Sequence, residues 1–285
     1  MATLKSSVTS SRELVSEYES KTAVYLEGES DVAVFQNIWF MDRLNKLKFV
    51  KPDGIGCPAV VNEVAQYRMN TGLPAFGIVD RDKLVADKKW DLVWETNDEM
   101  FSNAKPYGEY IRVTRRWELE NYLILPGAAE DHFAACSKGR VCRSLEAVED
   151  EFLEHAEVLV PHAAMNSARR THGVKELGDS ATSRYSTRVE FEAWLEMNVR
   201  NEMLPEIWET YIEHLPKVEA FGIGTTPSER LRTLLRRVNG KALIHRIKSK
   251  HGLLDDPTFI LAKGIARCGA IPSELAGYLD EFCCV

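Results

Sequence analysis

No stretch of 18 or more apolar residues occurs in this 285-residue sequence, so no membrane span is expected. The amino terminus, MATLKSSVTSSRELV, is polar and has no apolar core of the secretory kind. Six cysteines are present: Cys57, Cys136, Cys142, Cys268, Cys283 and Cys284. No two have Cys-x-x-Cys spacing. That pattern supports neither a zinc site nor a disulfide framework and fits reduced thiols in the cytoplasm. Basic charge is scarce too. Lys and Arg number 36 against 43 Asp and Glu, a net charge of −7. Long nucleic-acid contacts by charge alone are therefore excluded, and any such binding must rest on a local patch or on metal. There is no Gly-x-x-x-x-Gly-Lys-Ser/Thr loop, hence no P-loop nucleotide site. The seven histidines are scattered, and none pairs at metal-ligand spacing.

What is present is a strand–helix alternation over the first 125 residues or so. Ser10 and Glu13 have capping-box spacing, which predicts a first helix after Ser11. TAVYLE (22–27) is a continuous apolar run, the mark of a buried strand. Ser30 or Asp31 can cap a second helix, DVAVFQNIWFMDRLNK, with Val32, Phe35, Trp39 and Leu44 on one face. LKFV (47–50), PAFGIVD (74–80) and EYIRVT (109–114) read as further strands. A helix starting at Pro58 ends near Gly72, a residue suited to a C-cap. A polar loop of roughly two dozen residues follows Asp82, long for a compact domain. The pattern predicts an α/β fold with a mainly parallel sheet flanked by helices. Residues 128–157, 188–215 and 227–250 have helical periodicity, and the polar segment 162–187 reads as a long loop. The expected division is an α/β metal-binding domain over 1–126 and a mostly helical part over 127–285.

Three carboxylates fall where such a domain places its site. Glu27 closes one strand, Asp80 closes another, and Asp82 follows two residues on. Ligands bind outside the carboxyl ends of strands in open α/β sheets. Asp31, one helical turn past Glu27, can face the same spot. Carboxylates brought together repel and need a cation or protons. Mg²⁺, with Mn²⁺ as a substitute, answers with oxygen coordination and can position an attacking water. The competing reading is strand-end carboxylates acting as helix caps.

VYLEGESDVAVF resembles the first motif of TOPRIM domains, a hydrophobic strand followed by Glu-Gly and Asp. FGIVDRDK resembles their D-x-D motif, and RRWELENYLI the E-x-E-N-Y-L segment of OLD-type nucleases and related stand-alone proteins. The likeness covers about residues 20–126, with a weaker echo at VNGKALIHRI (238–247). Among its members the TOPRIM nuclease effectors of PARIS-type anti-phage systems are the nearest. The resemblance implies a small sheet with helices on both faces, binding divalent metal. It implies Glu27 as general acid/base or metal ligand, Asp80 and Asp82 as ligands, and Asp31 as a supporting ligand. Glu118 and Glu120 would complete the acidic cluster, Glu120 being favoured because Asn121 and Tyr122 follow it. Lys241 is the candidate late lysine that neutralises phosphate charge; a solvated helix lysine is the alternative. The Gly-Gly-Lys-like loop of many TOPRIM proteins has no lysine here, only Gly54-Ile-Gly56-Cys57.

The function so implied is a Mg²⁺-dependent nuclease, a toxic effector of anti-phage defence. It would cut tRNA or other RNA rather than DNA and be held by a separate ABC-type ATPase, with an active homodimer expected. Arg169, Arg170 and Arg184 in the polar segment are candidate phosphate contacts, against a plain solvated loop. The run Arg230 to Arg237 lies on helix, facing a backbone or water. Trp39, Trp194 and Trp208 read as core; Trp90, Trp94 and Trp117 lie nearer the acidic motifs, where a base could stack. Two other classes stay open. A D-x-D glycosyltransferase or haloacid-dehalogenase-type phosphotransferase has no job for Glu27, and Lys83-Leu84 is wrong for the latter. A TOPRIM-fold interaction module without catalysis draws support from the missing lysine.

Overall fold

The computed structural model describes residues 20–136, 143–202, 204–252 and 256–284. The helix expected after Ser11 lies outside them. Among the described residues four strands form one parallel sheet in the order β2-β1-β3-β4. They are β1 (Thr22–Tyr25), β2 (Leu47–Val50), β3 (Ala75–Val79) and β4 (Ile111–Val113). Strand β1 lies inside the sheet, with Tyr25 opposite both Val50 and Gly77. Every residue of β1 and β3 is buried, which explains their unbroken apolar runs. The order reverses between β1 and β3, because the chain builds β2 on one side and crosses back to the other.

The helices are α1 (Glu29–Val34), α2 (Gly56–Thr71), α3 (Lys83–Ala86), α4 (Trp90–Val93), α5 (Asp98–Asn103), α6 (Pro126–Cys136), α7 (Leu145–Thr171), α8 (Arg188–Trp194), α9 (Pro205–Glu219), α10 (Pro227–Leu234), α11 (Gly240–His251), α12 (Thr258–Arg267) and α13 (Ser273–Phe282). No strand follows β4 among the described residues, so the later part is helical as expected. None of the helices among the described residues is long and apolar enough to cross a membrane.

The chain divides into two compact units, the first comprising 1–78, 107–112 and 273–285, the second 79–106 and 113–272. In the first, Gly77 of β3 lets α2 approach, since a Cβ there would meet Val60 at 2.5 Å. Helix α13 completes this unit. Phe282 stacks on Phe76 of β3 at 4.2 Å, and Glu281 takes Arg112 through two hydrogen bonds of 3.1 and 2.7 Å. The expected long helix from Asp31 is shorter. It ends at Val34, widens into a π-helical turn over Phe35–Trp39, and tightens over Met41–Arg43. The Phe40 amide donates to the Phe35 carbonyl five residues back, so Val34, Phe35, Trp39 and Phe40 are buried while Val32 is half-exposed. Two apolar pairs five residues apart suit that wider turn better than 3.6-residue spacing.

In the second unit α7 is the long buried helix, packed by α9 and α10. It takes in residues 162–171 of the segment expected as loop. The reason is a small-residue face, with Ala163, Ala164, Met165, Ser167 and Ala168 all buried. The polar groups there are satisfied locally. Ser167 Oγ donates to the Ala163 carbonyl, and the Asn166 amide clamps Leu177 through its N–H (2.7 Å) and carbonyl (3.2 Å).

Candidate metal and phosphate site

Strand β3 runs out into Asp80-Arg81-Asp82, and the middle residue fixes the motif. Arg81 is fully buried. Its amide donates to Thr114 Oγ1 at 3.2 Å, and its guanidinium donates to the carbonyls of Arg115, Leu92, Val93 and Glu95 at 2.6–3.3 Å. The same group lies over the Phe101 ring at 4.2 Å. The polar stretch after Asp82 is thus folded as α3, α4 and α5 around an arginine, where the sequence reads as loop. The Asp82 amide donates to the Trp117 carbonyl at 3.1 Å, tying the end of the motif to the segment that carries Glu118.

Asp82 has one buried carboxylate oxygen, Oδ1, with no hydrogen-bond partner; Oδ2 accepts only from Lys83 Nζ at 3.4 Å. Its pKa is pushed up, chiefly by burial and further by Glu118, with Lys83 and Lys241 opposing. An orphaned buried oxygen of a hard donor set is what a divalent cation satisfies.

Glu118 is the N-cap of a short 3₁₀ helix, Leu119–Leu123, with extended backbone, and Glu120 lies in its first turn. Both therefore reach one lysine. Glu118 Oε2 accepts from Lys241 Nζ at 3.0 Å, and Glu120 Oε1 lies 3.4 Å from it. Glu118 Oε1 also accepts the Lys241 amide at 2.8 Å, at the first turn of α11. Burial opposes the charge of Lys241, but Glu118, Glu120 and Asp80 together hold its pKa above the ordinary lysine value. Lys241 is thus a paired lysine, with its side chain still 55% exposed.

The second unit therefore brings together Asp82, Glu118, Glu120 and Lys241, with Asp80 within electrostatic reach. Asp179 joins them: burial raises its pKa first, and Glu118 raises it further. Sequence reading missed Asp179, an isolated acid in a polar stretch with no pattern to mark it. Glu27 and Asp31 belong to the first unit. Glu27 stands half-buried just past β1. Asp31 Oδ2 accepts the Gly28 amide at 3.0 Å, the helix-capping role weighed against metal ligation. Among the described residues no three Asp, Glu, His or Cys side chains form a ready-made metal cluster. The Lys241 ammonium takes two of the acids and the α1 cap takes another.

Of the candidate phosphate contacts, Arg169 donates to the Lys175 carbonyl and Arg170 grips Glu176 at 2.9 and 3.2 Å, so both are committed to the turn after α7. Arg184 is exposed. Arg237 does not lie on an open surface. It is 1% exposed, with its guanidinium over Trp117 at 4.2 Å and Trp94 at 4.8 Å. Its burial was not legible, since on a helical period position 237 falls off the apolar stripe of Leu231, Leu234, Leu235 and Val238. In comparisons with known proteins, the chain matches no family model and no curated protein sequence.

Proposed function

We propose that this chain is a Mg²⁺-dependent TOPRIM-type nuclease. It is a toxic anti-phage effector that cleaves tRNA or other RNA in preference to DNA, controlled by a separate ABC-type ATPase. The observation that carries the reading is the buried, partnerless oxygen of Asp82 beside Glu118, Glu120 and Lys241. Asp80, Asp82, Glu118 and Glu120 would hold the cation in the second unit, and Glu27, in the first unit, keeps the role of ligand or general base that the resemblance implies. Bound there, Mg²⁺ supplies a Lewis acid for phosphate oxygens and a means of activating water. Lys241 offers an ammonium that offsets developing charge on a leaving oxygen, and Glu118 keeps it protonated and in place. Arg81 holds the Asp80–Asp82 backbone rigid while this occurs.

The test is incubation of the purified chain with Mg²⁺ or Mn²⁺ and tRNA, total RNA or duplex DNA, beside Glu27→Ala, Asp80→Ala and Asp82→Ala. Cleavage by the parent and by none of the variants supports the reading. A parent that takes up no divalent metal in calorimetry refutes it. One observation favours a second reading, a TOPRIM-fold binding module without catalysis: Lys241 already neutralises Glu118 and Glu120, and Asp31 already caps α1. Such a module would bind its partner equally well with and without metal.

A further inference from the structure

A cavity of about 100 Å³ opens beside Asp82, lined also by Trp117, His162, Ser167, Asp179 and Arg237. That volume holds several water molecules, and so has room for a group of five heavy atoms. Arg237 is its distinguishing feature. A guanidinium has five N–H donors. Ser167 Oγ accepts from one, Nε has no partner, and no carboxylate among the described residues forms an ion pair with it. Burial, and the charge of Arg81 nearby, push its pKa down to about 9. A buried guanidinium without a counter-ion is costly. No acid among the described residues pairs with Arg237, and a bound anion would supply what it lacks. Arg170, also on the wall, is already matched by Glu176. On the opposite side Asp82 Oδ1 has no partner, a place for a cation, and the exposed Asp179 stands on the same wall.

We propose that this cavity receives a phosphate group of the nucleic-acid substrate, and that Arg237 is the residue that binds it. A tetrahedral oxyanion spans the two demands, because its oxygens can meet the guanidinium fork and a cation at once. His162 adds no charge: burial lowers its pKa to about 4, so it lines the pocket as a neutral ring at pH 7. The inference rests on the metal-site reading above for the identity of the substrate, but the phosphate contact itself needs only Arg237.

Calorimetric titration of the full chain tests it, with inorganic phosphate and then a dinucleoside monophosphate, each with and without Mg²⁺. One phosphate per chain is expected, tighter with Mg²⁺, and roughly tenfold weaker in Arg237→Met. Arg237→Met should keep or raise its melting temperature, because an unmatched buried charge is gone; a merely structural arginine would leave a less stable chain. Should Arg237→Met fail to fold, Ser167→Ala decides the matter. Weakened phosphate binding there supports the site, and unchanged binding overturns it. Absence of saturable binding by the parent, or equal binding by Arg237→Met, overturns it too. Binding of inorganic phosphate without the diester overturns the assignment to a substrate backbone. Arg237-dependent phosphate binding in a chain that cuts nothing upholds this site and sinks the nuclease reading. Cleavage without phosphate binding does the reverse.

Discussion

Arg81 shows how a single residue can order a motif without joining its chemistry. It lies between two acids, and its guanidinium donates to four backbone carbonyls. Arg81→Met should destabilise the chain by about 3 kcal/mol in urea unfolding, because several carbonyls lose their donor at once. Arg81→Lys should recover little of it, since an ammonium lacks the planar fork. The D-x-D pair was legible because strand-end acids follow an apolar run; the arginine was not, because a polar residue between carboxylates reads as solvated. Titration is a second residue-scale matter. His162 is lowered by burial to about 4 from 6.5. The unfolded chain thus binds more protons there between those values. Stability from His162 is whole above pH 6.5 and is lost as pH falls through 4, about 3 kcal/mol in all. His214, also lowered to about 4, chiefly by burial, adds in the same direction. Asp82 runs the other way, its raised pKa giving stability below 3.8 that is lost as pH rises through the folded value. Urea midpoints measured from pH 7 down to 4 should fall, and His162→Gln should flatten the slope. Without metal, Asp82→Asn should melt higher than the parent; a lower melting point would mean that the orphaned oxygen has a partner.

At the scale of elements, the decisive join is between the Glu118–Leu123 segment and the start of α11. Asn121 Nδ2 donates to the Val238 carbonyl at 2.9 Å, while its Oδ1 accepts the Glu118 amide at 3.1 Å. Asn239 caps α11 through the Ala242 amide. Gly240 sits against Asn121, where a Cβ would come within 2.7 Å of its backbone nitrogen. Gly240→Ala should therefore cost about 1–3 kcal/mol by thermal melting and weaken cleavage as Lys241 is displaced from Glu118. A neutral effect would show that the join is loose. The two sequence stretches were singled out separately, 118–122 and 238–247, and their contact could not be read, because pairing across 120 residues leaves no local periodicity. The strands were legible, LKFV to the residue and the other three overrun by two or three residues at their ends, since burial writes an apolar run. The π-helical turn at Phe35 and the extension of α7 through Pro161 were not, because both depend on tertiary packing that overrides local pattern.

For the molecule as a whole, the net charge of −7 limits how nucleic acid can be held. A chain that works through a metal and one buried arginine makes few phosphate contacts. The affinity for tRNA should therefore fall by less than about three powers of ten per tenfold rise in salt concentration, and should depend more on Mg²⁺ than on NaCl. A steep slope in a filter-binding titration would instead mean a broad basic surface. The contact of Phe282 with Phe76 has a different consequence, one of timing. On a ribosome the strands of the first unit emerge early, but α13, which covers β3, is made only after all of the second unit. At ordinary translation rates that interval is on the order of ten seconds. Throughout it the ring of Phe76 waits uncovered, a standing invitation to a chaperone, and the unit with the earliest residues is the last to close.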